Sequence, residues 1–312
     1  MVDVALPHQP VLLTETLEAL AIRPEGCYVD ATFGRGGHAA AILQRLGPDG
    51  RLLALDRDPA AADWAGTRFC GDGRFQFVRT PFGQLARVLA ERELMGRIDG
   101  ILFDLGVSSP QLDDPARGFG FSRKGPLDMR MDPTAGVGAA EWLGRVPETE
   151  LDRVLAELGE ERFHRRVARA IVAARQQAPI ATTAKLAEIV AAAVPTREPG
   201  KHPATRTFQA IRIAVNDELG ELEAVLPQSL TALGADGRLV VISFHSLEDR
   251  VVKRFMREQA RGRELPLDLP VMGRPEGMTL RLIGRAVRPG PAEIAANPRA
   301  RSAVLRAAER LA

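Results

Sequence analysis

Three short apolar runs in the first third of this chain each end in an aspartate, with helical patterns between them. Tyr28-Val29 leads to Asp30, Leu52-Leu53-Ala54-Leu55 to Asp56, and Ile101-Leu102-Phe103 to Asp104. The periodicity predicts strands at residues 27–31, 51–56, 74–78 and 98–104, and helices at 11–20, 39–46, 59–67 and 82–94. Strands alternating with helices of this length form right-handed βαβ units on a parallel sheet. Such sheets bind ligands outside the carboxyl ends of their strands, where these three acids fall.

The alternation stops after Asp104. The next convincing strand is at residues 238–244. A Gly/Pro-rich segment at 118–133 and helical patterns at 148–158, 162–176, 182–194 and 205–219 fill the gap. A connection of this length is not a plain loop in a compact domain. The expectation is an all-helical domain, residues 113–205, inserted into a discontinuous α/β domain of residues 1–112 and 206–312. Beyond it come a helix at 247–259, a Pro-rich excursion and two β-like segments at 278–286 and 302–311. The last of these also suits a helix, given its Ala, Leu, Arg and Glu.

Of 312 residues, 45% are hydrophobic and 26% charged, as in ordinary globular proteins. Cys27 and Cys70 form no disulfide framework or metal-ligand spacing, so each reads as a small buried apolar residue in a reducing compartment. No signal-like segment is evident, and no uncharged stretch approaches the ~18 apolar residues of a membrane span. A cytoplasmic protein is expected. The net charge of +2 hides an asymmetry: residues 247–312 hold 14 Lys/Arg against 8 Asp/Glu. That excess suits a polyanionic partner, and equally a solvated helix face.

The turn Thr32-Phe33-Gly34-Arg35-Gly36-Gly37-His38 follows the first strand. Gly34-x-Gly36-x-x-Ala39 fits the loose dinucleotide fingerprint, and Asp56, 22 positions after Gly34, is placed to accept ribose hydroxyls. Asp30 shifts the balance, because a carboxylate at the strand mouth repels a pyrophosphate and attracts an ammonium. S-adenosylmethionine carries an ammonium and no phosphate. Methyl transfer is therefore favoured over an NAD-dependent oxidoreductase. A non-catalytic RNA-binding assembly factor would explain the basic tail but not the loop and acids together. The fourth strand adds Asp104-Leu105-Gly106-Val107-Ser108-Ser109-Pro110-Gln111, either a substrate-binding edge or a Ser-capped turn into the insertion.

Several motifs, in order, resemble one family along essentially the whole chain. They are His8-Gln9-Pro10-Val11-Leu12, Asp30 to His38, Asp104 to Asp113, Gly118-Phe119-Gly120-Phe121-Ser122 and Pro126-Leu127-Asp128-Met129-Arg130-Met131. Arg206-Thr207-Phe208-Gln209-Ala210-Ile211-Arg212, Ser243-Phe244-His245-Ser246-Leu247-Glu248-Asp249-Arg250 and Asn297-Pro298-Arg299-Ala300-Arg301-Ser302-Ala303 complete the set. The chain resembles the MraW family, the ribosomal RNA small subunit methyltransferases H.

The resemblance implies a class I S-adenosylmethionine-dependent methyltransferase: an α/β, Rossmann-like seven-stranded sheet with an inserted helical domain for substrate recognition. It implies N4-methylation of one cytidine in the decoding region of 16S ribosomal RNA, in the small subunit, and leaves room for a homodimer. The family's cofactor contacts fall on Gly36, Gly37, His38, Asp56, Phe82, Asp104 and Gln111, with Asp30 and Gly34 in support. No metal site is implied. Many amino-methyltransferases carry a polar residue, Pro-Pro and an aromatic at this strand end. Here Asp104-Leu105-Gly106-Val107-Ser108-Ser109-Pro110 stands instead, which leaves Asp104, Ser108 and Ser109 as candidate proton acceptors. Candidate phosphate contacts are Arg250, Lys253, Arg254 and Arg257, spaced for one helix face, with Arg299 and Arg301. A single tyrosine and few aromatics disfavour a base-stacking platform.

Overall fold

The computed structural model describes residues 10–196, 202–262 and 277–312. His8, Gln9 and nearly all of the Pro-rich excursion lie outside the described residues. The chain divides into two compact units: Met1–Gly106 with Leu219–Ala312, and Val107–Glu218.

In the first unit, α1 (Leu13–Leu20), β1 (Cys27–Asp30), α2 (Gly37–Leu43), β2 (Arg51–Asp56), α3 (Pro59–Arg68), β3 (Phe75–Arg79), α4 (Leu85–Ala90) and β4 (Ile98–Asp104) follow in sequence. The pattern at residues 82–94 is broken into a 3-10 turn, Phe82–Gln84, and the short α4. The second unit is helical: α5 (Ser109–Asp113), α6 (Ala139–Arg145), α7 (Glu148–Glu157), α8 (His164–Gln177), α9 (Thr183–Ala193) and α10 (Thr205–Asn216). The first unit then resumes with α11 (Glu218–Ala232), β5 (Leu233–Ser243), α12 (Ser246–Arg261), β6 (Leu280–Val287), α13 (Pro291–Ala296) and β7 (Val304–Arg310).

The sheet order is β3-β2-β1-β4-β5-β7-β6. Strands β1 to β5 pair in parallel, and β7 runs antiparallel to both neighbours. This is the seven-stranded α/β architecture expected. Of the ambiguous residues 302–311, Val304–Arg310 resolve as strand, since β7 inserts between β5 and β6 and is buried along most of its length. Its Glu309 is buried and ion-paired with Arg238 at 2.7 Å and with Arg281.

Alternate residues of the parallel strands feed two apolar layers, because successive side chains point to opposite faces. Val29, Leu53, Ile101, Phe103, Leu239 and Val241 meet α4, α11 and α12 on one face. Tyr28, Leu52, Ala54, Leu102, Val240 and Ile242 meet α1, α2 and α3 on the other. A glycine interrupts the apolar run of β4 for a packing reason. A Cβ on Gly100 would lie 2.8 Å from Tyr28 Cδ1 and 3.0 Å from Leu20 Cδ2.

The second unit has its own core, built from Leu143, Leu151, Leu155, Val167, Ile171, Leu186, Val190, Phe208 and Ile211. Arg175 of α8 turns inward and donates to the Leu143 and Val146 carbonyls at the end of α6, at 2.5 and 2.7 Å. The Gly/Pro-rich segment is tied down by polar contacts. The Asn216 side chain accepts from Met131 N and donates to Met129 O, both at 2.7 Å, and Leu127 N donates to Ala181 O at 3.0 Å. A Cβ on Gly125 would sit 1.8 Å from the Pro115 carbonyl.

Three expectations need correction. The helical unit begins and ends outside residues 113–205, because α10 packs its Phe208, Ala210 and Ile211 into the helical core. The pattern at 205–219 splits at Asp217, where φ is +50°, and a separate helix follows. Pro227 inside α11 is what disguises that helix in the sequence. Finally, Cys70 is exposed and Cys27 only half-buried, so neither is a fully buried apolar residue.

Gly100→Ala should destabilise the protein by about 1–3 kcal/mol, the usual cost of overpacking a filled core. Chemical denaturation would show a lower midpoint at unchanged slope. An unchanged midpoint would mean that Tyr28 and Leu20 yield freely.

Candidate active site

The loop after β1 is shaped by aromatic packing and by Asp56. Gly34, Gly36 and Gly106 all have positive φ, at 54°, 69° and 94°, where a side chain is strained. Gly36 has a second constraint. Its Cβ would stand 2.7 Å from the rings of Phe33 and Phe69, which pack edge to face at 5.7 Å. A Cβ on Gly37 would meet Pro10 Cγ at 2.4 Å. The glycines thus let the loop close onto its own aromatic floor and onto Pro10. Trp64 clamps the outer side by donating to the Arg35 carbonyl at 2.7 Å, with the Arg35 guanidinium 5.0 Å above its ring.

Asp56 organises the same loop from β2. One carboxylate oxygen accepts from Gly34 N at 2.8 Å and the other from Asp58 N at 2.9 Å. Burial raises its pKa from the ordinary carboxylate range, and these two amides pull the other way. Asp58 in turn caps α3 by accepting from Ala60 N at 3.0 Å.

Asp30 and Asp104 end neighbouring strands, β1 and β4. Asp30 is 1% exposed and accepts only a 3.2 Å bond from Thr32 N among the described residues. Burial pushes it up to about 7. Thr32 links the two strand ends, its hydroxyl accepting from Asp104 N at 2.6 Å. Asp104 Oδ1 is buried with no hydrogen-bond partner among the described residues. Burial, then the Asp30 and Glu248 carboxylates, push Asp104 up to about 8.

His38, at the start of α2, is the nearby basic group, and burial lowers it to about 4. It is therefore neutral near pH 7. Its Nε2 lies 3.2 Å from the Val11 carbonyl, which can only accept, so Nε2 carries the proton. Nδ1 then turns a lone pair toward Asp104 Oδ2 at 3.5 Å. The pair holds no net positive charge. Among the described residues, the strand ends thus offer a carboxyl cluster with an orphaned oxygen and no cationic side chain against it, suited to a ligand bearing a positive charge and hydroxyl groups.

The remaining residues are placed as follows. Phe82 opens the 3-10 turn and packs edge to face on Phe103 at 5.7 Å, against the apolar core. Ser108, Ser109 and Gln111 belong to the helical unit, where Ser108 and Gln111 form a reciprocal capping box at the start of α5. Gln111 Oε1 accepts from Ser108 N at 2.9 Å, and Ser108 Oγ accepts from Gln111 N at 3.4 Å. His245 and Glu248 make an equivalent box on α12, which the sequence showed as a motif without suggesting its role. Thr32 was missed as well, although it sits inside the loop motif.

Of the basic candidates, Arg250, Arg254 and Arg257 are exposed and Lys253 half-buried on α12. Arg254 lies 3.5 Å from Glu223. Arg299 and Arg301 are exposed on a 3-10 turn, Pro298–Ser302. Among the described residues, no helix is long and apolar enough to cross a membrane.

A family model described as the MraW methylase family matches residues 5–311. The ribosomal RNA small subunit methyltransferase H of Thioalkalivibrio sulfidiphilus is 61% identical over 306 residues, covering 98% of each chain. The protein of that name from Nitrosococcus oceani is 58% identical over 304 residues, covering 97% of this chain and 96% of its own. Among solved structures, an rRNA methylase from Streptococcus thermophilus aligns over 99% of this chain and 100% of its own, with 12% identity and a TM-score of 0.43. By the whole-chain family match and these identities, this chain belongs to the MraW methylase family.

Proposed function

We propose that this chain transfers a methyl group from S-adenosylmethionine to the N4 amine of one cytidine in the decoding region of 16S ribosomal RNA. The observation that carries the reading is the orphaned Asp104 carboxyl beside Asp30, at the carboxyl edge of a parallel sheet. The names of the two relatives support small-subunit ribosomal RNA as the substrate.

When bound, S-adenosylmethionine supplies an electrophilic methyl group on a sulfonium. Asp104 would hold the cofactor's ammonium, with the neighbouring Asp30 reinforcing the negative field. Asp56 keeps Gly34 in place and offers its remaining lone pairs to the ribose hydroxyls. Gly36, Gly37 and His38 would shape the loop that meets the cofactor, with Phe82 a further contact. The helical unit recognises the RNA, and Arg250, Lys253, Arg254, Arg257, Arg299 and Arg301 meet its phosphates. Positioning supplies most of the acceleration. The target base has to leave its stack to reach the methyl group.

The N4 lone pair of cytosine is delocalised into the ring, so an acceptor for an N4 proton aids attack. The segment Asp104 to Gln111 presents that acceptor. Ser108 is already engaged in capping α5, which favours a backbone carbonyl of this segment over its hydroxyl.

Nucleotide-resolved analysis of 16S ribosomal RNA from cells lacking this protein tests the reading. One decoding-region cytidine should lose its N4 methyl group, and complete modification there would refute the assignment. In equilibrium dialysis S-adenosylmethionine should bind and NAD should not.

Ser108→Ala and Ser109→Ala test the acceptor. Loss of a general base costs roughly 10²–10⁴-fold in rate. Each variant should stay well inside that loss in single-turnover assays, with Ser108→Ala less stable by about 1 kcal/mol through loss of the cap. A fall of about 100-fold in either would assign the acceptor to that hydroxyl.

A further inference from the structure

Helix α8 carries its charge against the local physics of a helix. Arg165, Arg166 and Arg169 recur at the spacing of one face, and they and Arg162, in the turn before the helix, are all exposed. The opposite face, Val167, Ala168 and Ile171, is buried in the helical core. The helix, His164–Gln177, contains no Asp or Glu at all. Its first turn holds Arg165 and Arg166, where the helix dipole favours acids, and Arg162 lies just before it. Like charges three and four positions apart also repel one another.

The surroundings compensate little. Arg169 meets Glu148 at 3.7 Å with its side chain 75% exposed, and Asp152 is taken by His164 at 2.6 Å. Arg162 lies over the Phe163 ring at 5.4 Å. The side chains of Arg165 and Arg166 have no ion-pair or hydrogen-bond partner among the described residues. Arg175, by contrast, is absorbed into the fold as the cap of α6. Local stability would be better served by acids at these positions.

We infer that the exposed arginine face of α8 is a docking surface for the phosphate backbone of RNA. The partner chemistry follows from the side chains. Three guanidinium groups of one sign on one helix face, with Arg162 in the turn before it, complement a polyanion, and planar guanidinium forks engage phosphate bidentately. The inference rests on the reading of the substrate as RNA, and it places one RNA-binding surface on the helical unit.

The experiment compares the full-length wild type with Arg165→Ala/Arg166→Ala. Binding of 16S ribosomal RNA is measured across salt concentrations, beside S-adenosylmethionine affinity, thermal stability and the KM and kcat of methylation. Arg87→Ala, which removes an exposed arginine paired with Glu91, serves as the charge control. The double variant should bind RNA about tenfold more weakly at low salt. Its slope of log K against log salt should be shallower by about 1.4–1.8, because two phosphates are no longer neutralised. KM should rise with kcat and cofactor affinity unchanged, and stability should hold or increase, which a structural role for these arginines would not give. Wild-type affinity and slope in the double variant would overturn the inference alone. A wild type without salt-dependent RNA binding would overturn the substrate reading and the inference with it.

Discussion

Placing carboxyl groups beside one another in or near a core with no cation against them is among the more costly things a fold can do, and among the described residues this sheet does it at its centre. Asp30 and Asp104 end adjacent parallel strands, and the charges that act on Asp104 come from Asp30 and Glu248, both negative. The histidine facing Asp104 is held neutral by its own burial. The ligand-free cluster meets this cost by keeping protons, which is the physical content of values near 7 and 8 for two aspartates. A cationic ligand removes the reason for keeping them. The cofactor reading therefore rests on an unsatisfied charge requirement as well as on a family likeness.

The rest of the site follows from holding those acids in register. Thr32 ties the loop to β4 through the Asp104 amide, and Asp56 ties it to β2 through Gly34. Gly36 and Gly37 are required by Phe33, Phe69 and Pro10, which occupy the space a Cβ would need. The glycine-rich motif thus reports close packing at least as directly as close approach to a ligand.

Much of this was legible in the sequence because it depends on local periodicity. Apolar runs such as Leu52 to Leu55 identify strands whatever surrounds them. The acids are visible because each terminates such a run. What stayed hidden depends on distant partners. Asp30 reads from sequence as the acid facing the ligand, yet it is almost wholly buried, and the more open carboxyl is Asp104. Helix α11 was masked by Pro227, an exposed residue in its interior. The strand identity of β7 needs β5 and β6 on either side, and residue preference alone leaves it ambiguous. Cys70 gave no sign of its exposure, since a lone cysteine is more often buried.

The most direct measurement of the central claim is the proton balance of cofactor binding. Calorimetry of S-adenosylmethionine binding at pH 6.5, in buffers of different ionisation enthalpy, reports protons released or taken up. An α-amino group, at about 7.7–8.0, is already charged there. A carboxyl held at about 8 is still protonated at pH 6.5 and must ionise to pair with the ammonium. The wild type should release protons on binding, with affinity rising from pH 6 toward neutrality. Asp104→Asn should bind more weakly and lose most of that release. Binding by the wild type without proton release, at an affinity indifferent to pH over this range, would contradict the account.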